Sequence, residues 1–195
     1  AFLPALGLLR LAGALAAADF LAAVARTALA GVLAGAATAL VRPVLASSSR
    51  RMVLQAEAGT RAVLDFSNAR GGMQLWGNYW TIENIDVTKT PGNVKGLQIA
   101  GNYNIVQGVH AYENGDTGIQ ISGTSTEAPS KWPTHNLVVS SISHDNIDPA
   151  QNNADGFAAK LTVGDGNVFD SCIAYHNIDD GWDLFSKIES KPICT

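Results

Sequence analysis

From Gly72 onward the chain alternates short apolar runs with clusters of Gly, Asn and Asp, and the runs recur in fixed phrases. Gly72-Met73-Gln74-Leu75, Gly96-Leu97-Gln98-Ile99 and Gly118-Ile119-Gln120-Ile121 share the form Gly-apolar-Gln-apolar. Gly156 and Gly181 continue the series, with Phe157 and Trp182 in the apolar slot. A second register runs beside the first. Asn104, Asn136 and Asn167 each open a short β-branched or apolar run, and each is followed ten residues later by another Asn: Asn114, Asn146 and Asn177. Two residues beyond each of these stands an Asp: Asp116, Asp148 and Asp179.

Short strands bounded by turn formers and repeating every twenty-odd residues predict an all-β chain wound as a parallel β-helix. Its coils would stack about 4.8 Å apart with like side chains above one another, and the Asn columns would form amide ladders at the turns. A β-sandwich with turn-rich loops is the competing reading, but it gives no reason for residue-specific columns. The first coil is expected over 53–66. Further coils follow at about 72–94, 96–116, 118–154 and 156–180, and a partial one opens at Gly181. Between Gly123 and Trp132 the text turns to Ser, Thr, Pro and Lys, which predicts a surface loop in the coil that runs to 154. Lys131 and Trp132 in that loop are candidate contacts for a sugar acid, one by charge and one by stacking, beside the plainer reading as loop surface.

The front of the chain breaks the pattern. Residues 1–50 hold seventeen Ala, one acid (Asp19) and four Arg, and they predict a helical N-terminal segment ahead of a β-helix over 51–195. The longest uncharged run there, Thr27 to Val41, is fifteen residues, short of the about twenty a membrane span needs. A targeting peptide, a helical cap over the first coil and an unrelated start all fit this stretch. The formal net charge of −4 implies no polyanion partner, so nucleic acid is not expected. The acidity is local: eight Asp and one Lys stand between Asp145 and Asp183.

That local acidity points to chemistry. The slot before each repeat Gly holds Gly71, Lys95 and Thr117 in the early coils, then Asp155 and Asp180. Stacked carboxylates about 5 Å apart repel one another, and Asp179 and Asp183 crowd the same corner. Four carboxylates at one turn suit a hard cation with oxygen ligands, Ca²⁺ above all, although the spacing is not that of an EF-hand loop. A solvated acidic turn is the alternative.

The phrases NADGFAAKL, GNVFDSCIA and DDGWDLFSK, with YENGDTGIQIS and LDFS upstream, closely resemble the family 9 pectate lyases. These are right-handed parallel β-helix enzymes that cleave polygalacturonate. The resemblance covers about residues 53–195 and is densest from 152 to 187. It implies secretion, an acidic polysaccharide as partner, and a Ca²⁺ site of four aspartates that fall here on Asp155, Asp179, Asp180 and Asp183. It also implies a lysine base in a Gly-Phe-Lys motif of a later coil. That motif is expected beyond Thr195, so the chain reads as a partial lyase domain, and the base role is carried to neither Lys160 nor Lys187. A monomer is expected. A non-catalytic β-helix that binds Ca²⁺ and uronate, or a purely structural one, stays open as an alternative.

The remaining candidates are weaker. Cys172 lies in an apolar run and is expected to pack inside, with a disulfide to Cys194 possible in principle. His110 and His144 fall near equivalent coil positions and are read as a stacked turn column. No nucleophile elbow is present.

Overall fold

A computed structural model describes residues 9–11, 39–42 and 49–187. In chain order the strands are β1 (Leu9–Leu11), β2 (Ala39–Arg42), β3 (Met52–Ala56) and β4 (Ala62–Asp65). One coil holds β5 (Met73–Leu75), β6 (Trp80–Glu83) and β7 (Ile85–Thr88). The next holds β8 (Leu97–Ile99), β9 (Ile105–Gln107) and β10 (His110–Tyr112). It is followed by β11 (Ile119–Ile121), β12 (Leu137–Val139) and β13 (Ile142–His144). Then come β14 (Phe157–Ala159), β15 (Val168–Asp170) and β16 (Ile173–Tyr175), and β17 (Trp182–Asp183) opens the last coil.

From β3 onward every third strand pairs in parallel with its equivalent one coil away, which makes three sheets, and β1 and β2 join the first and second of them. The first runs β1-β5-β8-β11-β14-β17, the second β2-β3-β6-β9-β12-β15 and the third β4-β7-β10-β13-β16. Register follows the repeated phrases, because Met73, Leu97, Ile119, Phe157 and Trp182 are successive partners along the first sheet. Pairing in this register puts like apolar side chains in one inward column. Met73, Leu97, Ile119 and Phe157 are fully buried, as are Ile82, Val106 and Val138 in the second sheet. Each such side chain contributes about 1.5–3 kcal/mol through burial. The outward residues of the first sheet are Gln74, Gln98 and Gln120, then Ala158 and Asp183, so its outer surface turns from amides to an acid along the axis.

The Asn columns form the expected ladders. Asn104 N–H donates to Asn136 Oδ1 at 2.9 Å, and Asn136 Nδ2 donates to Asn167 Oδ1 at 2.9 Å. Asn114 Nδ2 donates to Asn146 Oδ1 at 3.0 Å, and Asn146 Nδ2 to Asn177 Oδ1 at 2.8 Å. These side chains satisfy backbone groups that the corners withdraw from the sheets.

The corners are turned by side chains that the Gly pattern does not mark. Tyr79, Tyr103 and His135 occupy one left-handed column, with φ of 59°, 57° and 54°. Lys89, Glu113, Asp145 and His176 form another, at 57°, 54°, 53° and 53°. Such a conformation costs a bulky residue about 1–3 kcal/mol and persists where neighbours over-determine it. Here the neighbours are the coils above and below: the rings of Tyr79 and Tyr103 stack at 5.1 Å, and those of Tyr103 and His135 at 4.8 Å.

The N-terminal expectation requires correction where it can be seen. Where residues 1–42 are described they are strands: β1 pairs parallel with β5, and β2 pairs antiparallel with β3. An unpaired sheet edge offers backbone donors and acceptors to any extended segment, and that demand outweighs the helix propensity of Ala and Leu. The rest of the expected helical segment, and Cys194, lie outside the described residues. Among the described residues no helix is long and apolar enough to cross a membrane.

The histidine column also differs from expectation. His110 and His144 lie on strands of the third sheet, two register positions apart, with His110 beside Ile142 and His144 beside Tyr112. His144 stacks between Tyr112 at 5.3 Å and Tyr175 at 4.6 Å.

Candidate metal centre

The first sheet brings the acidic phrases together. Asp155 precedes β14, and Asp179 and Asp180 precede β17 one coil on. Parallel pairing places the two turns side by side, with Gly156 N–H donating to Asp180 O at 2.9 Å and Asp179 N–H to Ala154 O at 3.4 Å. As a result one carboxylate oxygen from each of Asp155, Asp179 and Asp180 lies within 4.8 Å of the others. Asp155 is fully buried, whereas Asp179 and Asp180 are exposed. The corner therefore sets one buried carboxyl group beside two exposed ones.

The two oxygens of Asp155 have different surroundings. Oδ2 accepts from Lys160 Nζ at 2.7 Å and from the Thr117 hydroxyl at 2.9 Å. Oδ1 is buried and has no hydrogen-bond partner. Burial pushes the Asp155 carboxyl up, against Lys160 and Thr117, which favour its charged form, and the Asp183 charge adds to the upward push. A buried carboxylate oxygen without a partner costs about 1–3 kcal/mol or more. A cation among the three aspartates removes that cost, and three hard oxygen donors are the chemistry Ca²⁺ takes. The residues present fit the ion.

Asp183 is the fourth of the expected ligands. It faces outward from β17 and lies 2.9 Å from Lys160 Nζ, outside the trio of mutually close carboxylates. Lys160 follows β14 and is buried between Asp155 and Asp183. Burial pulls its pKa down, but the two carboxylates outweigh burial and hold it raised, so it stays an ammonium. The sequence reading set Lys160 aside as a base and did not see that it pairs with two of the expected ligands. The signal was available, since Lys160 lies five residues after Asp155, on the outward parity of β14.

Two further features shape the site. The turn before Asp155 carries an insertion that the sequence reading folded into a single long coil. Asp148 closes it: Oδ1 accepts the N–H groups of Asn152, Asn153 and Ala154 at 3.0, 3.0 and 3.1 Å, and Oδ2 accepts that of Ala150 at 3.1 Å. The second feature is the 123–133 loop. Lys131 is exposed there, at the end of a short 3-10 turn. Trp132 is 5% exposed, and its indole N–H donates to Glu127 O at 3.2 Å. Little of the Trp132 ring is therefore open to solvent.

The chain can now be set beside known proteins. The family model for the Pel9A-like, right handed beta helix region matches residues 34–194. Pectate lyase L of Thermoclostridium stercorarium is 53% identical over 142 residues, covering 72% of this chain and 12% of that protein. Pectate lyase L of Paenibacillus polymyxa is 47% identical over 147 residues, covering 72% of this chain and 32% of that protein. The crystal structure of pectate lyase Pel9A superposes with a TM-score of 0.57 at 26% identity, over 75% of this chain and 39% of that one. The chain thus spans 12% and 32% of the length of these two relatives. With the repeat register, the three-sheet solenoid and a family match over most of its length in agreement, the chain belongs to the Pel9A-like right-handed β-helix family.

Proposed function

We propose that this chain carries the metal-holding part of a Ca²⁺-dependent pectate lyase, which cleaves polygalacturonate by β-elimination outside the cell. The observation that carries the reading is the unpartnered, buried Oδ1 of Asp155 in a trio of aspartates, within a chain whose relatives are named pectate lyases.

In this reading Asp155, Asp179 and Asp180, with Asp183 beside them, would hold the cation. Bound Ca²⁺ supplies positive charge for a galacturonate carboxylate, which makes the proton on the adjacent C5 more acidic. The chain's own residues set up that chemistry. Thr117 and Lys160 fix one oxygen of Asp155, so the other points from a rigid base. Asp179 and Asp180, on the exposed turn, leave the outer side of the pocket open to a polymer. Elimination breaks the C5–H and C4–O bonds and forms a C4–C5 double bond; the C5 proton passes to a base and the leaving oxygen acquires one. Lys160 is unsuited as that base, because two carboxylates hold it as an ammonium. The resemblance gives the role to a lysine of a later coil. The protein acts as a monomer in this reading.

The test follows the ultraviolet absorbance of unsaturated uronide during incubation of the protein with polygalacturonate and Ca²⁺, with EDTA as control. A Ca²⁺-dependent rise that Asp180→Asn abolishes is the expected result for the complete catalytic assembly. Ca²⁺-dependent retention on polygalacturonate without product would identify a binder instead.

A further inference from the structure

The corner that leads from the third sheet to the first carries a cavity of about 300 Å³ that does not include the aspartate trio. Thr90, Asn114 and Gly115 are its buried lining, and Asn68, Glu113, Ile147, Pro149 and Gln151 its exposed lining. One wall is the inserted turn, and it is firmly built. Asp148 gathers the N–H groups of Ala150, Asn152, Asn153 and Ala154. Pro149 closes on Gly92, where a Cβ would lie 2.6 Å from the proline ring. At the base, a Cβ on Gly115 would lie 2.2 Å from Pro91 O, so only glycine leaves that space open. The side chains of Asn68, Glu113 and Gln151 make no hydrogen bond to any described residue. Two acids and no base line the cavity. The Asp148 carboxylate is occupied by backbone N–H groups, so Glu113 is the free anionic acceptor.

That lining has the chemistry of a site for one uncharged sugar ring. Ligand pockets run from about 300 to 1,000 Å³, and the small end holds a ring rather than a chain. A free carboxylate and two free amides match hydroxyls, which both donate and accept. Ile147, 50% exposed, and Pro149 offer an apolar wall to the ring C–H groups. A uronate would instead set its own carboxylate against Glu113, with no cation in the lining to offset the repulsion. The position suits a branched polymer. Ile147 N–H donates to Asn114 O at 2.9 Å and Ile178 N–H to Asn146 O at 3.0 Å, so the same ridge runs on, one coil later, into the Asp179–Asp180 turn. We propose that this cavity is a second carbohydrate site, which takes a neutral pyranose branch of the polymer whose acidic backbone lies at the aspartate corner. The choice of a branch rests on the reading of the chain as part of a pectate lyase, whereas recognition of a neutral ring rests on the lining alone.

Amide chemical shifts of the whole chain, followed during titration with methyl glycosides, test the proposal. The probes are those of galactose, glucose and xylose, with galacturonate and glucuronate as counterparts that carry a carboxylate. EDTA is present throughout, so the metal centre takes no part. The best neutral sugar should saturate and shift the Gly92, Gly115 and Gln151 amides, and its acidic counterpart should bind at least about fivefold more weakly. Glu113→Gln removes the charge and keeps an acceptor, so it should bring the two affinities to within about twofold of each other. Gln151→Gly suits the left-handed φ of 57° at that residue. It should weaken the neutral sugar at least about threefold while the thermal midpoint holds. No saturable shift at these amides, or equal affinity for neutral and acidic sugars in the unchanged protein, overturns the proposal. If Glu113→Gln does not fold, Gln151→Gly decides, and unchanged binding by it overturns the proposal too. Sugar binding by a chain that neither takes up Ca²⁺ nor yields unsaturated uronide would overturn the lyase reading and leave this site standing. Ca²⁺ uptake without binding of any neutral sugar overturns this inference alone.

Discussion

Asp148 Oδ1 accepts the backbone N–H of Ala154 at 3.1 Å, which ties the carboxylate of one turn to the residue directly before Asp155. Three more N–H groups, of Ala150, Asn152 and Asn153, converge on the same side chain. The knot fixes the inserted turn and so the approach of Asp155 to the acidic corner. Asp148→Ala leaves four donors without this acceptor, that of Ala154 buried and those of Ala150, Asn152 and Asn153 part-buried. The expected loss is about 2–3 kcal/mol, read as a lower urea midpoint, since each unmatched buried group costs about 1–3 kcal/mol and water recovers part of it. Ca²⁺ affinity should fall with it.

The same carboxylate gives a pH dependence with a definite sign. Burial pushes Asp148 up, but the N–H groups of Asn153, Asn152, Ala150 and Ala154 outweigh burial and hold its pKa below the ordinary 3.8. A folded-state pKa below the unfolded one stabilises the fold above the unfolded value. That contribution is complete above pH 3.8 and is lost as pH falls through the lower folded value. The gap in thermal midpoint between the unchanged protein and Asp148→Asn should therefore hold steady above that pH and close below it. A gap that widens on acidification would contradict the assignment.

Much of this architecture is legible because a solenoid repeats its physics. One-coil pairing forces Leu97, Ile119 and Phe157 into one column, so the Gly-apolar-Gln-apolar phrase carries both strand and register. The amides Asn104, Asn136 and Asn167 stand 32 and 31 residues apart in sequence and stack in space. The acids were readable as a corner, but the pairing of Asp183 with Lys160 was not. Asp183 and Lys160 face each other because both point outward from neighbouring strands of the first sheet, a matter of parity and side-chain reach rather than of motif. Trp132 shows that an aromatic in a polar loop can also fold the loop on itself. At Leu9–Leu11 and Ala39–Arg42 propensity was a poor guide, because an edge strand is selected by its neighbour's open backbone.

The amide ladder should be among the most sensitive parts of the fold. Asn136 is 1% exposed; it accepts from Asn104 N–H and donates to Gly101 O at 2.9 Å as well as to Asn167. Asn136→Ala breaks all three contacts and opens a polar void between coils. A loss of about 3 kcal/mol is expected from equilibrium unfolding. Asn102, whose side chain accepts from Thr134 N–H nearer the surface, provides the comparison. Asn102→Ala should cost less than half as much, since water can replace the lost acceptor.

Thr117 separates support of the metal centre from direct ligation. Its hydroxyl lies 2.9 Å from Asp155 Oδ2 and 3.1 Å from Asn153 O, in the coil before the aspartate trio, and it is itself buried. It stands in the column that reads Lys95, Thr117, Asp155 and Asp180, as the backbone bonds Gly96 N–H to Thr117 O and Gly118 N–H to Asp155 O show. Thr117→Val keeps the shape and removes the hydroxyl. Asp155 then relies on Lys160 alone, and its unpartnered Oδ1 loses a fixed direction. Groups that orient a metal ligand are worth about 10–100-fold in metal affinity, so the Ca²⁺ dissociation constant should rise by at least about tenfold. The metal-free thermal midpoint should move only a few degrees, because the backbone ladder on either side of Thr117 is untouched. Asp155→Asn should instead abolish the Ca²⁺-induced rise in midpoint altogether. Equal Ca²⁺ binding by Thr117→Val and the unchanged protein would mean that Lys160 alone fixes Asp155.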